Sequence, residues 1–138
     1  MFLSLCLSLI FFILGVLHIY WALGGNWGLE LTVPTTLEGE RVLYPSKTAC
    51  WIVGLGLGTF GFFYILKGRF VDFEVPSWML DYTGWGIMTL FFLRALGDFK
   101  YIGFFKHIKN TPFGKRDTLL FSPLSLGIAL LGLLIELS

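Results

Sequence analysis

Four apolar runs, separated by polar stretches, organise the chain. Residues from Met1 to Leu29 contain no Asp, Glu, Lys or Arg. Within them, Phe2 to Leu23 would make a helix of roughly 33 Å at 1.5 Å per residue, enough to cross the hydrocarbon core of a bilayer. Further uncharged runs extend from Thr48 to Leu66 and from Thr118 to Ile135. The third run, Met79 to Leu96, is uncharged only between Asp81 and Arg94, so its ionisable residues fall near its two ends. In hydrocarbon every backbone polar group must be satisfied internally, and loops between sequential helices favour antiparallel neighbours. The pattern therefore predicts an all-α, integral membrane, up-down-up-down four-helix bundle. Residues 1–138 form one transmembrane domain, with spans near 2–23, 48–66, 79–96 and 119–137.

Polar loops run from Gly24 to Lys47, from Lys67 to Ser77 and from Asp98 to Asp117. Within the last, Phe99 to Lys109 mixes aromatic and basic residues without a spanning length. This composition suits a short helix lying in the membrane interface, where Lys100, Tyr101, Lys106 and Lys109 meet lipid headgroups. The first and third spans end in similar wording, Ala22-Leu23-Gly24-Gly25 and Ala95-Leu96-Gly97-Asp98. The likeness raises a parallel internal repeat against chance similarity of Ala/Leu/Gly-rich segments.

Charge sets the orientation. Near the span ends, one face carries Arg41, Lys47, Lys100, Lys106, Lys109, Lys115 and Arg116, while the other has only Lys67 and Arg69. The positive-inside rule then puts the long loops in the cytoplasm and both termini outside. The expected location is the inner (cytoplasmic) membrane. A net charge of +1, from ten basic and nine acidic residues, provides no field to attract nucleic acid. Cys6 and Cys50 begin antiparallel spans and are expected to be free thiols, too far apart to bridge. Cys6 follows only five residues, none of them basic, so the first run is expected to stay as a permanent span and not to be a cleaved leader.

Candidate chemistry collects at the long-loop face. Arg94 and Asp98 are four residues apart and can pair on one helix face. His18 and Trp21 occupy the corresponding end of the first span, at similar depth. Ionisable residues within membrane segments mark functional sites, whereas the competing reading is an interfacial belt in which Arg94 snorkels and the aromatic rings rest among headgroups. Gly54 and Gly58 form a small-xxx-small pattern for close helix packing, and no following Lys-Ser/Thr makes the Gly-rich run a phosphate loop. Haem ligation by His18 would need a second axial ligand, for which only His107 remains. No set of zinc ligands gathers. Neither a metal nor a cofactor is predicted.

The segments His18 to Gly28 and Arg94 to Lys106, together with Thr111 to Asp117 and Ser122-Pro123-Leu124, resemble a bacterial family of small four-span membrane proteins known as domain of unknown function 3995. The resemblance implies the architecture and no activity, substrate or cofactor. It marks His18, Trp21, Arg94, Gly97, Asp98 and Asp117 as the positions where the chain reads like that family. His18, Trp21, Arg94, Asp98 and Asp117 thus form the candidate pocket.

Three functions compete. A binding or accessory protein would hold a lipid headgroup, an anionic small molecule or a partner helix under the long loops. A membrane enzyme would use His18 as acid or base with Asp98 orienting it, on a lipid-soluble substrate. A transporter or channel subunit would have to form a homo-oligomer to line a pathway. Binding ranks first, because no nucleophile, metal set or cofactor motif accompanies the polar residues.

Overall fold

A computed structural model describes residues 2–25, 47–97 and 120–137. Four helices and no strand occur among these residues: α1 (Phe2–Ala22), α2 (Lys47–Lys67), α3 (Ser77–Leu96) and α4 (Ser122–Leu137). The helical bundle expected from the apolar runs is thus observed. The proposed interfacial helix, with Lys100, Tyr101, Lys106 and Lys109, lies outside the described residues, as do Asp98 and Asp117.

Two helices, α1 and α2, are long and apolar enough to cross a membrane, with mean hydropathies of 2.6 and 1.8 over their most apolar stretches. The fourth helix is apolar but has only 16 residues. It starts at Ser122 rather than at residue 119, after a wider turn at 120–121. Pro123 explains the delay, since a proline is accommodated in the first helical turn, where amide groups lack intrahelical partners.

Helix ends follow local chemistry. Both α1 and α3 stop at a glycine with positive φ, Gly24 at 103° and Gly97 at 80°, a backbone region that a Cβ disfavours. The similar wording of these two segments therefore encodes a similar stop. At the end of α2 the left-handed position falls on Arg69, with φ 59°. Around it the Phe70 amide donates to the Ile65 carbonyl at 3.2 Å and the Gly68 amide to the Tyr64 carbonyl at 2.9 Å.

The bundle is built from two closely packed hairpins. In the first, a methyl group added at Gly15 would lie 3.0 Å from the Gly54 carbonyl oxygen and 3.3 Å from the Gly58 nitrogen, so the α1 and α2 backbones meet across glycines. One turn or more further along, the buried Ser8 hydroxyl donates to the Gly61 carbonyl at 2.8 Å. In the second hairpin, α4 lays Gly132 against Met88 of α3, and Glu136 against Gly84.

Contacts between the hairpins are sparse by comparison. They centre on a buried core of Leu7, Phe11, Leu57, Tyr64, Ile87, Ile128 and Ile135. Phe11 is fully buried and joins the halves, with ring centroids 5.3 Å from Phe91 of α3 and 5.8 Å from Tyr64 of α2. Large apolar side chains such as Phe2, Ile13, Val16, Ile52 and Phe62 are exposed on the outside. The two cysteines are free, Cys50 being buried against Trp21 and Ala22.

Candidate functional site

Beyond the Phe11 core, the seam between the hairpins opens into a cavity of about 510 Å³. It lies where α1 and α3 end and α2 and α4 begin, which is the end joined by the two long loops. The first hairpin contributes Leu14, Leu17, His18, Trp21, Gly56 and Phe60 among its lining, and the second contributes Leu90, Phe91, Arg94, Leu124 and Ser125. His18, Trp21 and Arg94 therefore line one space, although they come from different hairpins. Asp98 and Asp117, the remaining members of the sequence-derived cluster, lie outside the described residues.

Each polar group is held by its helix. The His18 Nδ1 lies 2.8 Å from the Leu14 carbonyl oxygen one turn back. A carbonyl oxygen only accepts, so Nδ1 carries the proton and donates. In the neutral ring Nε2 is then the basic nitrogen, able to accept a hydrogen bond or a proton. The Trp21 ring packs edge-on to the imidazole, with centroids 5.0 Å apart at 70°, which fixes its plane. Arg94 is half-buried in the last turn of α3, where the negative end of the helix dipole favours a cation. The rest of the wall is aliphatic and aromatic, so the site resembles an apolar chamber with a few polar groups at its loop end, the usual composition of a small-molecule site.

Gly54 and Gly58, expected to pack helices, occupy different settings. A Cβ at Gly54 would meet Ile19 at 2.8 Å, whereas one at Gly58 would meet nothing within 4 Å. Gly58 contributes its backbone, on which Gly15 rests. Gly15 was not singled out by sequence reasoning, because one glycine in an aliphatic helix forms no repeat.

Sequence reasoning also missed a second polar cluster at the opposite end of the bundle. Lys67, in the last turn of α2, has its Nζ 2.8 Å from Oε1 of Glu136 near the end of α4. It also donates to the Leu80 carbonyl of α3 at 3.2 Å, and lies 4.0 Å from Asp81 Oδ1. The Glu136 side chain is 2% exposed and that of Lys67 12%. Glu136 Oε1 has no aligned hydrogen bond, so the contact with Lys67 is electrostatic rather than directional. The Tyr64 hydroxyl, one turn before Lys67, is fully buried without a hydrogen-bond partner and lies near Gly132. In the sequence Lys67 and Glu136 stand at the edges of apolar runs and read as boundary charges. Their common end in an up-down bundle was the available signal. Among the described residues, no group of three or more His, Cys, Asp or Glu converges as a metal site.

Neither the comparison with curated proteins nor that with solved structures finds a match. A family model matches residues 11–132, a span that takes in part or all of each helix and all of the cavity lining. The chain belongs to that family, whose description is "Protein of unknown function (DUF3995)".

Proposed function

We propose that the chain is an integral membrane binding protein, crossing the bilayer with all four helices and holding a lipid-soluble ligand with an anionic or hydrogen-bonding head in the cavity between its hairpins. Support for the membrane setting comes from the apolar α1 and α2 and from the large exposed aliphatic and aromatic residues, which would be costly in water. By its residue count α3 reaches about 30 Å and α4 about 24 Å, the latter needing local bilayer thinning or the preceding wide turn to complete its span. The excess of basic residues in the long loops favours placing them, and the mouth of the cavity, on the cytoplasmic side of a bacterial inner membrane. Labelling of engineered cysteines at Lys109 and Ser138 in intact cells tests this. Reaction of the Lys109 site from outside would reverse the orientation.

The observation that carries the binding reading is the cavity itself, apolar along its length and bordered by His18, Trp21 and Arg94. An apolar tail would replace water against Leu14, Leu17, Phe60, Leu90 and Phe91. The head would meet the Arg94 guanidinium, whose charge and planar fork suit a carboxylate or phosphate. The His18 Nε2 would accept a hydrogen bond from a hydroxyl on the ligand. The same basic nitrogen favours one second reading, an enzyme in which His18 takes a proton from a lipid-soluble substrate.

Mass spectrometry of the protein extracted in mild detergent, with and without a His18→Ala or Arg94→Lys change, is the test. Binding predicts a co-purifying lipophile retained by the wild type and depleted in Arg94→Lys. A ligand recovered chemically altered only with wild-type His18 would favour the enzyme. If all three proteins carry the same lipids in the same amounts, the interfacial-belt reading takes the place of a site.

A further inference from the structure

One wall of the cavity is shared with the outer surface of the bundle. Of the residues that line it, only Val53 of α2 and Leu90 of α3 are also exposed outside, at 44% and 53%. Every other lining residue is buried or half-buried. The two exposed residues belong to consecutive antiparallel helices and stand at one level. Val53 comes six residues after the start of α2 at Lys47, and Leu90 six before the end of α3 at Leu96. At 1.5 Å per residue each lies about 9 Å inward from the loop end of its helix. The α2 wall is low beside Val53, because Gly56 has no side chain and a Cβ built there would meet no heavy atom within 4 Å. Deeper in, Phe60 and Phe91 of the same two helices close the space, both packing on the buried Phe11.

We propose that the cavity opens sideways between α2 and α3, through a slot at Val53, Gly56 and Leu90, and that the chain of a membrane lipid passes through it. The ligand class is then a long-chain amphiphile that keeps part of its tail in the bilayer. This rests on the binding reading above and on its membrane setting. Depth supports it. Arg94 stands two residues from the end of α3, about 3 Å inward, and the slot lies about 6 Å deeper. Head and chain therefore meet the protein in the order in which a bilayer lipid presents them. The chemistry of the slot agrees, since Val53, Gly56 and Leu90 offer no polar side chain, and a surface at that depth in a spanning bundle faces hydrocarbon. A chain longer than the cavity of about 510 Å³ is accommodated as well, because its excess stays outside in the acyl layer.

Photolabelling in lipid nanodiscs tests the portal. The probe is phosphatidylglycerol carrying a diazirine in the middle of one acyl chain, and peptide mass spectrometry maps where it inserts. The expected result is insertion at Val53, Gly56, Leu90 and the interior Phe60 several-fold above that at Ile13 and Phe62, which are exposed but away from the cavity lining. Leu90→Trp, a change at an exposed position, should fill the slot and lower insertion at Phe60 several-fold while leaving Ile13 and Phe62 unchanged. Wild-type insertion spread evenly over the exposed residues, with none at Phe60, would overturn the portal, and this comparison stands even if Leu90→Trp fails to fold. Insertion at Phe60 that persists undiminished in a folded Leu90→Trp would place the entrance at the loop end, which removes the portal and keeps the binding reading. Slot insertion that is the same for a phosphatidylcholine probe and in Arg94→Lys keeps the portal and removes recognition of an anionic head.

Discussion

Lys67 and Glu136 face one another at 2.8 Å across the seam between the hairpins, 69 positions apart in the sequence and almost shielded from solvent. An ion pair in that setting is expensive to form and more expensive to break, because losing one partner strands the other charge. Lys67→Met and Glu136→Leu should each destabilise the protein by about 3–5 kcal/mol. The double substitution should cost well below their sum, since neither charge is then left alone. Melting temperatures of the four proteins in one detergent give the coupling energy, and strictly additive losses would contradict a direct pair.

Gly84 makes room for Glu136. A Cβ at this position would run into the carboxylate, the far end of a flexible side chain that yields only by disturbing its 2.8 Å contact with Lys67. Gly84→Ala is expected to cost about 1–3 kcal/mol through overpacking. In a chain already carrying Glu136→Ala the same change should be nearly neutral. The comparison separates the clash from any loss of glycine flexibility, because only the clash depends on Glu136.

Arg69 offers a stabilising change. It is an exposed, non-glycine residue at φ 59°, in the position where helices ordinarily end on glycine, as α1 and α3 do at Gly24 and Gly97. Arg69→Gly should relieve the Cβ penalty, partly offset by a more flexible unfolded chain, for a net gain of about 0.5 kcal/mol. A higher melting temperature with unchanged ligand content is the expected result. A lower one would mean that the Arg69 side chain stabilises the linker more than its backbone strains it.

The helices were legible in the sequence because apolar length is a local signal, and the end-to-end order of His18, Trp21 and Arg94 followed from counting turns in an up-down arrangement. What the sequence did not show was contact across the bundle. Lys67 and Glu136 each sit at the edge of an apolar run, where a charge normally marks the water boundary, and only the packing of α2 against the end of α4 reveals them as partners. The cavity was hidden for a related reason. His18 and Arg94 suggested a polar pocket, but the volume arises from where the hairpins do not touch, and no single helix encodes that. Gly15 shows the same limit at smaller scale, since its role depends on the opposite helix presenting Gly54 and Gly58.

Gly56 permits the sharpest test of the cavity, because it lines the space and a Cβ added there would meet no heavy atom within 4 Å. A larger side chain at this point therefore projects into empty volume rather than into a packed wall. Gly56→Leu should leave the fold intact, with stability unchanged or raised by up to about 1 kcal/mol from better helix propensity. It should also exclude a ligand tail by occupying part of the 510 Å³. Gly54→Leu serves as the contrast, since its Cβ would meet Ile19 at 2.8 Å and the Gly15 carbonyl at 3.1 Å; this change should separate α1 from α2 and lower the melting temperature. Lipophile content measured by mass spectrometry alongside thermal stability distinguishes the two. If Gly56→Leu melts like the wild type and still retains its full complement of bound lipophile, the ligand does not occupy this cavity.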